Sequence, residues 1–430
     1  MASRVARRLV DSGKLLHSWL LHVTAPQDPV SYSAYLFSQL ESRISSEFDG
    51  LSQHRKISPK FVEAMEEYER SIKRCLQVNR HNMSRLLSPT PQPERGFFGA
   101  QEEEQIALKE RVTPVQYYGS FLGGAYGSND SLMSHVAKDW STMRPEAWTR
   151  AHQRIIERLE KSLRDEDKSP LEPNESPSIL VPGCGVGRLV FDIGEALSTD
   201  GEESFNEWKE QDEDDVGVNS YLEGNSKATN EGVAVFVHGT ESSMACLRVI
   251  DKLFNTEWRG EAGNGEFDEE QDFSIYPFIG DKKNNYTRDS RLAEATGPSP
   301  IPRRQLGLGR ADISFSAMSL AEMDRQPEQD AVVTCFYLDC HRSPLEAIEL
   351  IYQSLRPGGV WINLGPLSYH HPDGLAPTSK ELSIAIEEKG FVLDEDGITS
   401  WEEDLPYYIR PKATLKEQVW RPIFFVARRK

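Results

Sequence analysis

Three kinds of residue in this chain could do chemistry together: glycines at alternate positions, carboxylates ending apolar segments, and a histidine pair in a short polar stretch. The glycines are Gly183, Gly185 and Gly187 in SILVPGCGVGRLVFDIG, Ser178 to Gly194. Glycine lets a ligand approach the backbone closely, and a following helix N-terminus offers unbonded amides. The spacing is GxGxG, one residue tighter than the GxGxxG of nicotinamide and flavin sites. Three readings fit: a dinucleotide site, a site for another adenine-bearing cofactor such as S-adenosylmethionine, which has no phosphate to cradle, or a tight strand-to-helix turn. Glu241 in HGTESS follows a second apolar segment, where an acidic residue takes ribose hydroxyls in such folds. Its plainer role is a helix N-terminal carboxylate favoured by the macrodipole.

Asp339 closes AVVTCFYLD, at the carboxyl end of a predicted parallel strand, which is where α/β folds bind ligands. It could cap the next helix instead, but with Pro344 in the first helical turn that cap falls more naturally on Ser343. His370 and His371 follow a Gly-Pro turn, a place where histidine is more often exposed or structural. Tyr369 beside them either closes over a ligand or packs, and Trp361 reads as core.

The elements that must position these residues alternate. SILVPG, VAVFVHG, AVVTCFYLD, GVWINLGP and PIFFVARR are β-branched or aromatic runs, and GRLVFDIGEAL, SSMACLRVIDKLF and SPLEAIELIYQSL are helical between them. This order predicts a mostly parallel sheet covered by helices on both faces. Ahead of it, Val30 to about Leu87 and Ser131 to Leu163 carry apolar residues at steps of three and four, so helices precede the sheet. The Pro-rich stretch from Ser88 to Gly99 ends an N-terminal helical region of residues 1–99, and residues 100–430 form the α/β domain. Polar, glycine- and acid-rich inserts near 198–232, 258–272 and 292–311 read as surface loops.

Composition narrows the function. The net charge is −19 over 430 residues, against a phosphate-binding surface and so against general nucleic-acid binding. Much of the acid is local: nine carboxylates and one lysine lie between Asp200 and Asp215. No apolar run approaches the roughly 20 residues of a membrane helix. Five cysteines, Cys75, Cys184, Cys246, Cys335 and Cys340, form no CxxC pair, which predicts buried thiols in a reducing compartment and no metal site. The expected location is the cytoplasm, with the nucleus as a second compartment. The first residues, MASRVARRLVDSGKLLHSWLL, have the arginines and amphipathicity of a mitochondrial presequence, while Asp11 and the lack of a serine-rich continuation oppose it.

Four separated blocks in order, VPGCGVGRL, AKDWS at Ala137, CFYLD at Cys335 and GGVWINLGPLSYHH, resemble the N2227-like family of carnosine N-methyltransferases across most of the chain. The resemblance implies a class I, Rossmann-like methyltransferase fold with a seven-stranded sheet and added N-terminal helices. It implies methyl transfer from S-adenosylmethionine to an imidazole nitrogen of β-alanyl-histidine. Carried over by motif, Gly183, Gly185, Gly187 and Glu241 hold the cofactor with Cys335 beside them, while Asp339 and His370 serve catalysis and bind substrate. Tyr369 and Trp420 join the substrate side, with the family's C-terminal tyrosines falling at Gln418 to Trp420. Two places depart from the family: Ser319 and Leu320 stand where an Asp-Phe pair meets adenine, and His135 and Lys138 replace a Gln and an Arg of the cofactor site. The N-terminal helices would then cover the cofactor, with AKDWS as a latch.

Other functions compete with this one. The same fold could act on a protein histidine or another imidazole, or serve as a non-catalytic binding protein. A nicotinamide oxidoreductase would need the missing GxGxxG. The expected partner is a small imidazole dipeptide or a histidine-containing peptide, with no nucleic acid and no membrane, and a homodimer is compatible.

Overall fold

The computed structural model describes residues 29–56, 58–88, 130–164, 176–198, 235–255, 274–280, 287–297, 311–323, 329–406 and 419–430. These divide between two compact units. One spans Glu146–Glu241, Ile301–Tyr407 and Val419–Lys430 and contains the sheet. The other spans Met1–Pro145, Ser242–Pro300 and Tyr408–Gln418. The boundary expected at residue 99 and most of the first two inserts lie outside the described residues.

Among the described residues, the path of the main sheet runs through seven strands: β1 (Ser178–Pro182), β2 (Val235–Thr240), β3 (Ala311–Ser316), β4 (Gln329–Cys335), β5 (Leu355–Gly365), β6 (Phe391–Leu393) and β7 (Ile423–Arg429). Their spatial order is β3-β2-β1-β4-β5-β7-β6, and Thr399–Ser400 adds a short pairing to β7. β1 to β5 run parallel, and β7 pairs antiparallel with β5 and β6. This is the doubly wound class I methyltransferase topology expected. Its switch point lies between β1 and β4, so the carboxyl ends of those two strands flank the crevice where such sheets bind ligands.

Why these segments are strands follows from their sides. Ala331 to Thr334 are buried without a break, as a central parallel strand covered on both faces must be. β3, which escaped the sequence reading, alternates exposed Asp312 and Ser314 with buried Ile313 and Phe315, the pattern of an edge strand. β4 ends at Cys335, four residues before the expected Asp339. The helix Glu146–Arg164 buries Trp148, His152, Ile155, Leu159 and Leu163, at the spacing of one helical face.

The core at the β4–β5 side is aromatic. Trp361 is fully buried, with Phe425 edge-on at 4.8 Å between ring centroids and Phe391 tilted at 5.4 Å. Its indole N–H donates to Thr334 Oγ1 at 2.8 Å, and that hydroxyl donates onward to Asn363 Oδ1 at 2.9 Å. Trp361 is therefore core, as its strand position suggests.

In the second unit the long helix Pro59–Leu87 packs with Pro29–Glu47 and holds a short hairpin, Ser274–Ile275 with Ala295–Thr296. Asn79 clamps the Tyr276 backbone from both sides, donating to its carbonyl at 2.9 Å and accepting from its amide at 2.6 Å. Arg291 is buried, its guanidinium forked onto Glu47 at 2.8 and 3.0 Å. Ala295–Thr296, inside the expected third insert, thus form a strand. No described helix is long and apolar enough to cross a membrane.

The expectation of buried thiols holds for Cys75 alone. Cys184, Cys246 and Cys335 are half-buried and Cys340 is exposed, all of them unbridged. Cys184 follows β1, Cys335 ends β4, and Cys340 lies in the short turn beyond it.

Thr334→Val keeps the shape of this core and removes the acceptor for the Trp361 indole. It should cost about 1–3 kcal/mol in urea unfolding, against the few tenths expected if the hydroxyl only fills space.

Candidate active site

The glycine turn leaves β1 at Pro182 and enters the helix Arg188–Ser198. Gly183, Gly185 and Gly187 all have positive φ, at 63°, 59° and 82°, the region that costs a side chain most. They face different surroundings. A Cβ on Gly183 would lie 2.7 Å from the Tyr337 ring, whereas nothing lies within 4 Å of one on Gly185. Gly185 thus opens onto space that a ligand can fill.

Glu241 follows β2 and joins the same turn: its Oε2 accepts the Gly185 amide at 2.9 Å. The carboxylate therefore shapes the glycine loop itself. Cys184 is tied in as well, its amide donating to Thr240 O at 3.0 Å. Gly183, Gly185, Gly187 and Glu241 are thus brought together, as predicted.

Across the switch point, β4 ends in an abrupt bend. Phe336 has φ of 55°, the one described non-glycine residue in the left-handed region, and a bulky residue there costs on the order of 1–3 kcal/mol. Its neighbours fix it. The Phe336 amide donates to Leu364 O at 2.7 Å, a Cβ on Gly365 would come within 3.2 Å of its Cα, and the Trp148 ring lies 5.1 Å away. Trp148 in turn donates to Pro406 O at 2.9 Å. The bend throws Tyr337 over Gly183 and starts a short 3₁₀ turn, Leu338–Cys340.

Asp339 lies in that turn. It is 2% exposed, and its Oδ1 has no hydrogen-bond partner. Burial pushes its pKa up to about 7, because desolvation disfavours the carboxylate. His370 approaches it: the His370 amide donates to Asp339 O at 3.0 Å, and Nε2 stands 3.7 Å from Asp339 Oδ2. That gap is too long for a hydrogen bond. Burial and the neighbouring His371 lower the His370 pKa, so the ring is neutral near pH 7. The helix Pro344–Ser354 has Ser343 at its N-cap position, leaving Asp339 without that duty.

The remaining predicted residues scatter. Cys335 ends β4 beside this bend. Tyr369 is adjacent in the chain, its hydroxyl donating to Pro377 O at 2.8 Å, and burial followed by the Asp339 charge pushes its pKa up to about 12. Ser319 gives its hydroxyl to Glu322 at 2.9 Å and Leu320 is buried in the core, so both side chains are occupied locally. Trp420 pairs with Leu405 in a two-strand ribbon that also contains Pro406, the partner of Trp148. His135 and Lys138 belong to the other unit, on the helix Asp130–Trp140, where Lys138 pairs with Asp139 at 2.9 Å.

Sequence reasoning passed over Phe336, Tyr337, Trp148 and Cys340. Phenylalanine gives no hint of a left-handed bend, and an aromatic after a strand reads as core. In chemical terms the carboxyl end of the sheet presents a glycine turn open to a ligand, a carboxylate bonded to that turn, and a desolvated carboxyl facing a neutral histidine.

The sequence model of the carnosine N-methyltransferase family matches residues 127–208 and 265–430, more than half of the chain. The Drosophila melanogaster protein named carnosine N-methyltransferase unmet is 24% identical over 307 residues, which cover 70% of this chain and 54% of that protein. The Schizosaccharomyces pombe carnosine N-methyltransferase is 23% identical over 313 residues, 69% of either chain. The chain thus spans about half the length of its fly relative. A solved structure of Haemonchus contortus phosphoethanolamine N-methyltransferase 2 with S-adenosyl-L-methionine covers 65% of this chain and 45% of that one, at 11% identity and a TM-score of 0.33.

Burying Asp339 has a cost that pH reveals. Its pKa is raised in the fold, so between about 4 and about 7 the native state holds a proton the unfolded chain has lost, and stability falls as pH rises through that window. Asp339→Asn should therefore be more stable than the parent at pH 8, by about 1 to 4 kcal/mol, and show a shallower decline between pH 4 and 7. Thermal unfolding across that range measures it; a variant less stable at pH 8 contradicts the assignment.

Proposed function

The chain belongs to the carnosine N-methyltransferase family, and from that premise we propose that it moves a methyl group from S-adenosylmethionine to an imidazole nitrogen of a histidine-containing dipeptide. The observation that carries this is Asp339: a buried carboxyl with an unpartnered oxygen, in the short turn that follows β4 and the Phe336 bend. Buried polar atoms are nearly always hydrogen-bonded, so this oxygen leaves room for a donor.

The cofactor's fit is tested by the turn. Space above Gly185 and the Glu241 carboxylate bonded to the same loop suit a ligand with ribose hydroxyls and no phosphate. Gly183, Gly185 and Gly187 would offer backbone to it and Glu241 a carboxylate, with Cys335 nearby. When bound, S-adenosylmethionine supplies a methyl group on a sulfonium, ready for in-line displacement.

The protein's own task is orientation. A free imidazole with pKa near 6.5 is mostly neutral at pH 7, so no strong base is required. What is required is the choice of nitrogen. Asp339, accepting the N–H of one ring nitrogen, leaves the lone pair on the other, as a triad aspartate does for its histidine. As the methyl arrives the ring becomes cationic, and a carboxylate already in place stabilises that charge without reorganisation. The substrate N–H also satisfies the orphaned oxygen, so binding removes part of the cost of burying Asp339. His370, half-exposed at the rim, is a polar contact for the rest of the dipeptide.

Incubation with methyl-labelled S-adenosylmethionine and either carnosine or a denatured protein extract tests the proposal. Label should appear in carnosine and fall by at least about 10²-fold in Asp339→Ala, the scale of losing a positioning and charge-stabilising group. Label in protein alone would replace the dipeptide by a histidine in a larger substrate. No label anywhere, with no calorimetric binding of the cofactor, would overturn the activity.

A further inference from the structure

The turn Leu338–Cys340 and the loop after β5 are laced together more tightly than two loops at a sheet edge need to be. Besides the His370 amide on Asp339 O, the His371 ring donates from Nε2 to Cys340 O at 3.0 Å, and the Leu375 amide donates to Arg342 O at 3.0 Å. Gly374 is packed so closely that a Cβ there would sit 2.5 Å from Arg342 O. One contact in this lacing reaches the His370 ring itself. Cys340 Sγ lies 3.9 Å from His370 Nδ1, within reach of a weak sulfur hydrogen bond, and 3.6 Å from Phe336 O.

The thiol has a single proton and two neighbours. Phe336 O can only accept, so it takes the S–H, and the shorter of the two distances agrees. Cys340 counts as exposed by its surface area, yet its thiol behaves as a desolvated group: burial first, then the Asp339 and Glu241 charges, push its pKa up to about 12. On either measure the thiol keeps its proton at pH 7. With that proton spent on Phe336 O, sulfur can meet His370 Nδ1 only as an acceptor.

We infer that Cys340 is a positioning residue for His370: its sulfur accepts the Nδ1 proton, so that the neutral ring presents Nε2 as a bare acceptor toward Asp339. Free histidine favours the opposite tautomer, with the proton on Nε2, and that form would donate across to Asp339 and fill its need for a partner. In the Nδ1–H form, once Asp339 is ionised above its pKa of about 7, the two groups are acceptors facing each other across 3.7 Å, and neither satisfies the other. The gap is then reserved for a ligand that brings its own N–H. Cys340 thereby keeps Asp339 available, and selects against ligands with only acceptors at that point. The identity of the donor as a substrate imidazole N–H rests on the proposed function; the tautomer of His370 does not.

Long-range proton–nitrogen correlation spectra of protein labelled with ¹⁵N-histidine read the tautomer directly, with His370→Gln used to assign the signal. At pH 7.5, without substrate or cofactor, the parent should show His370 protonated on Nδ1. Cys340→Ala should shift it to the Nε2–H form, and Cys340→Ser, which restores an acceptor, should return it to Nδ1–H. An Nε2–H ring in the parent, or a ring unchanged in Cys340→Ala, overturns the inference. Because no turnover enters this measurement, a failure of the methyl-transfer proposal would leave its outcome standing, and the reverse. If Cys340→Ala does not fold, the parent spectrum and Cys340→Ser still decide.

Discussion

The left-handed bend at Phe336 is the constraint on which the site depends. A parallel strand that simply continued would carry Tyr337 and Asp339 off the sheet edge. The bend instead lays Tyr337 against Gly183 and starts the turn in which Asp339 is buried. It is held by the Leu364 carbonyl, the close approach of Gly365 and the Trp148 ring. Strain of this kind persists only where the surroundings over-determine it, and it concentrates at functional sites.

Two costs coincide at this edge: a strained backbone and a desolvated carboxyl with an unsatisfied oxygen. The unsatisfied oxygen is open to an N–H donor, while the strain at Phe336 is held by its own neighbours. The large aromatic core around Trp361 and the fully buried β4 supply the stability that lets the edge remain strained. Catalytic sites commonly trade stability for function in this way.

Much of this was legible in the sequence, for reasons that differ by residue. Gly183, Gly185 and Gly187 could be recognised because a positive φ leaves its mark in residue type. Asp339 stood out as a carboxylate ending an apolar run, and Ser343 with Pro344 removed its alternative duty as a cap. Glu241 was singled out by its position after the second apolar run, and its bond to the Gly185 amide shows a task the sequence did not suggest, shaping the loop. The bend at Phe336 was invisible, since phenylalanine carries no signal for that conformation, and the strand was therefore extended four residues too far. β3 and β6 were missed because one is an alternating edge strand and the other has three residues. Ser319 and Leu320, carried over from a departed motif, are occupied by Glu322 and by the core.

The central claim is that Asp339 is held ready and desolvated, waiting for a donor. Carbon-13 titration of the aspartate side-chain carboxyls, with Asp339→Asn used to assign the signal, measures this without substrate. A signal titrating near 7 is predicted; one titrating below about 5, as a solvated aspartate does, would contradict the account.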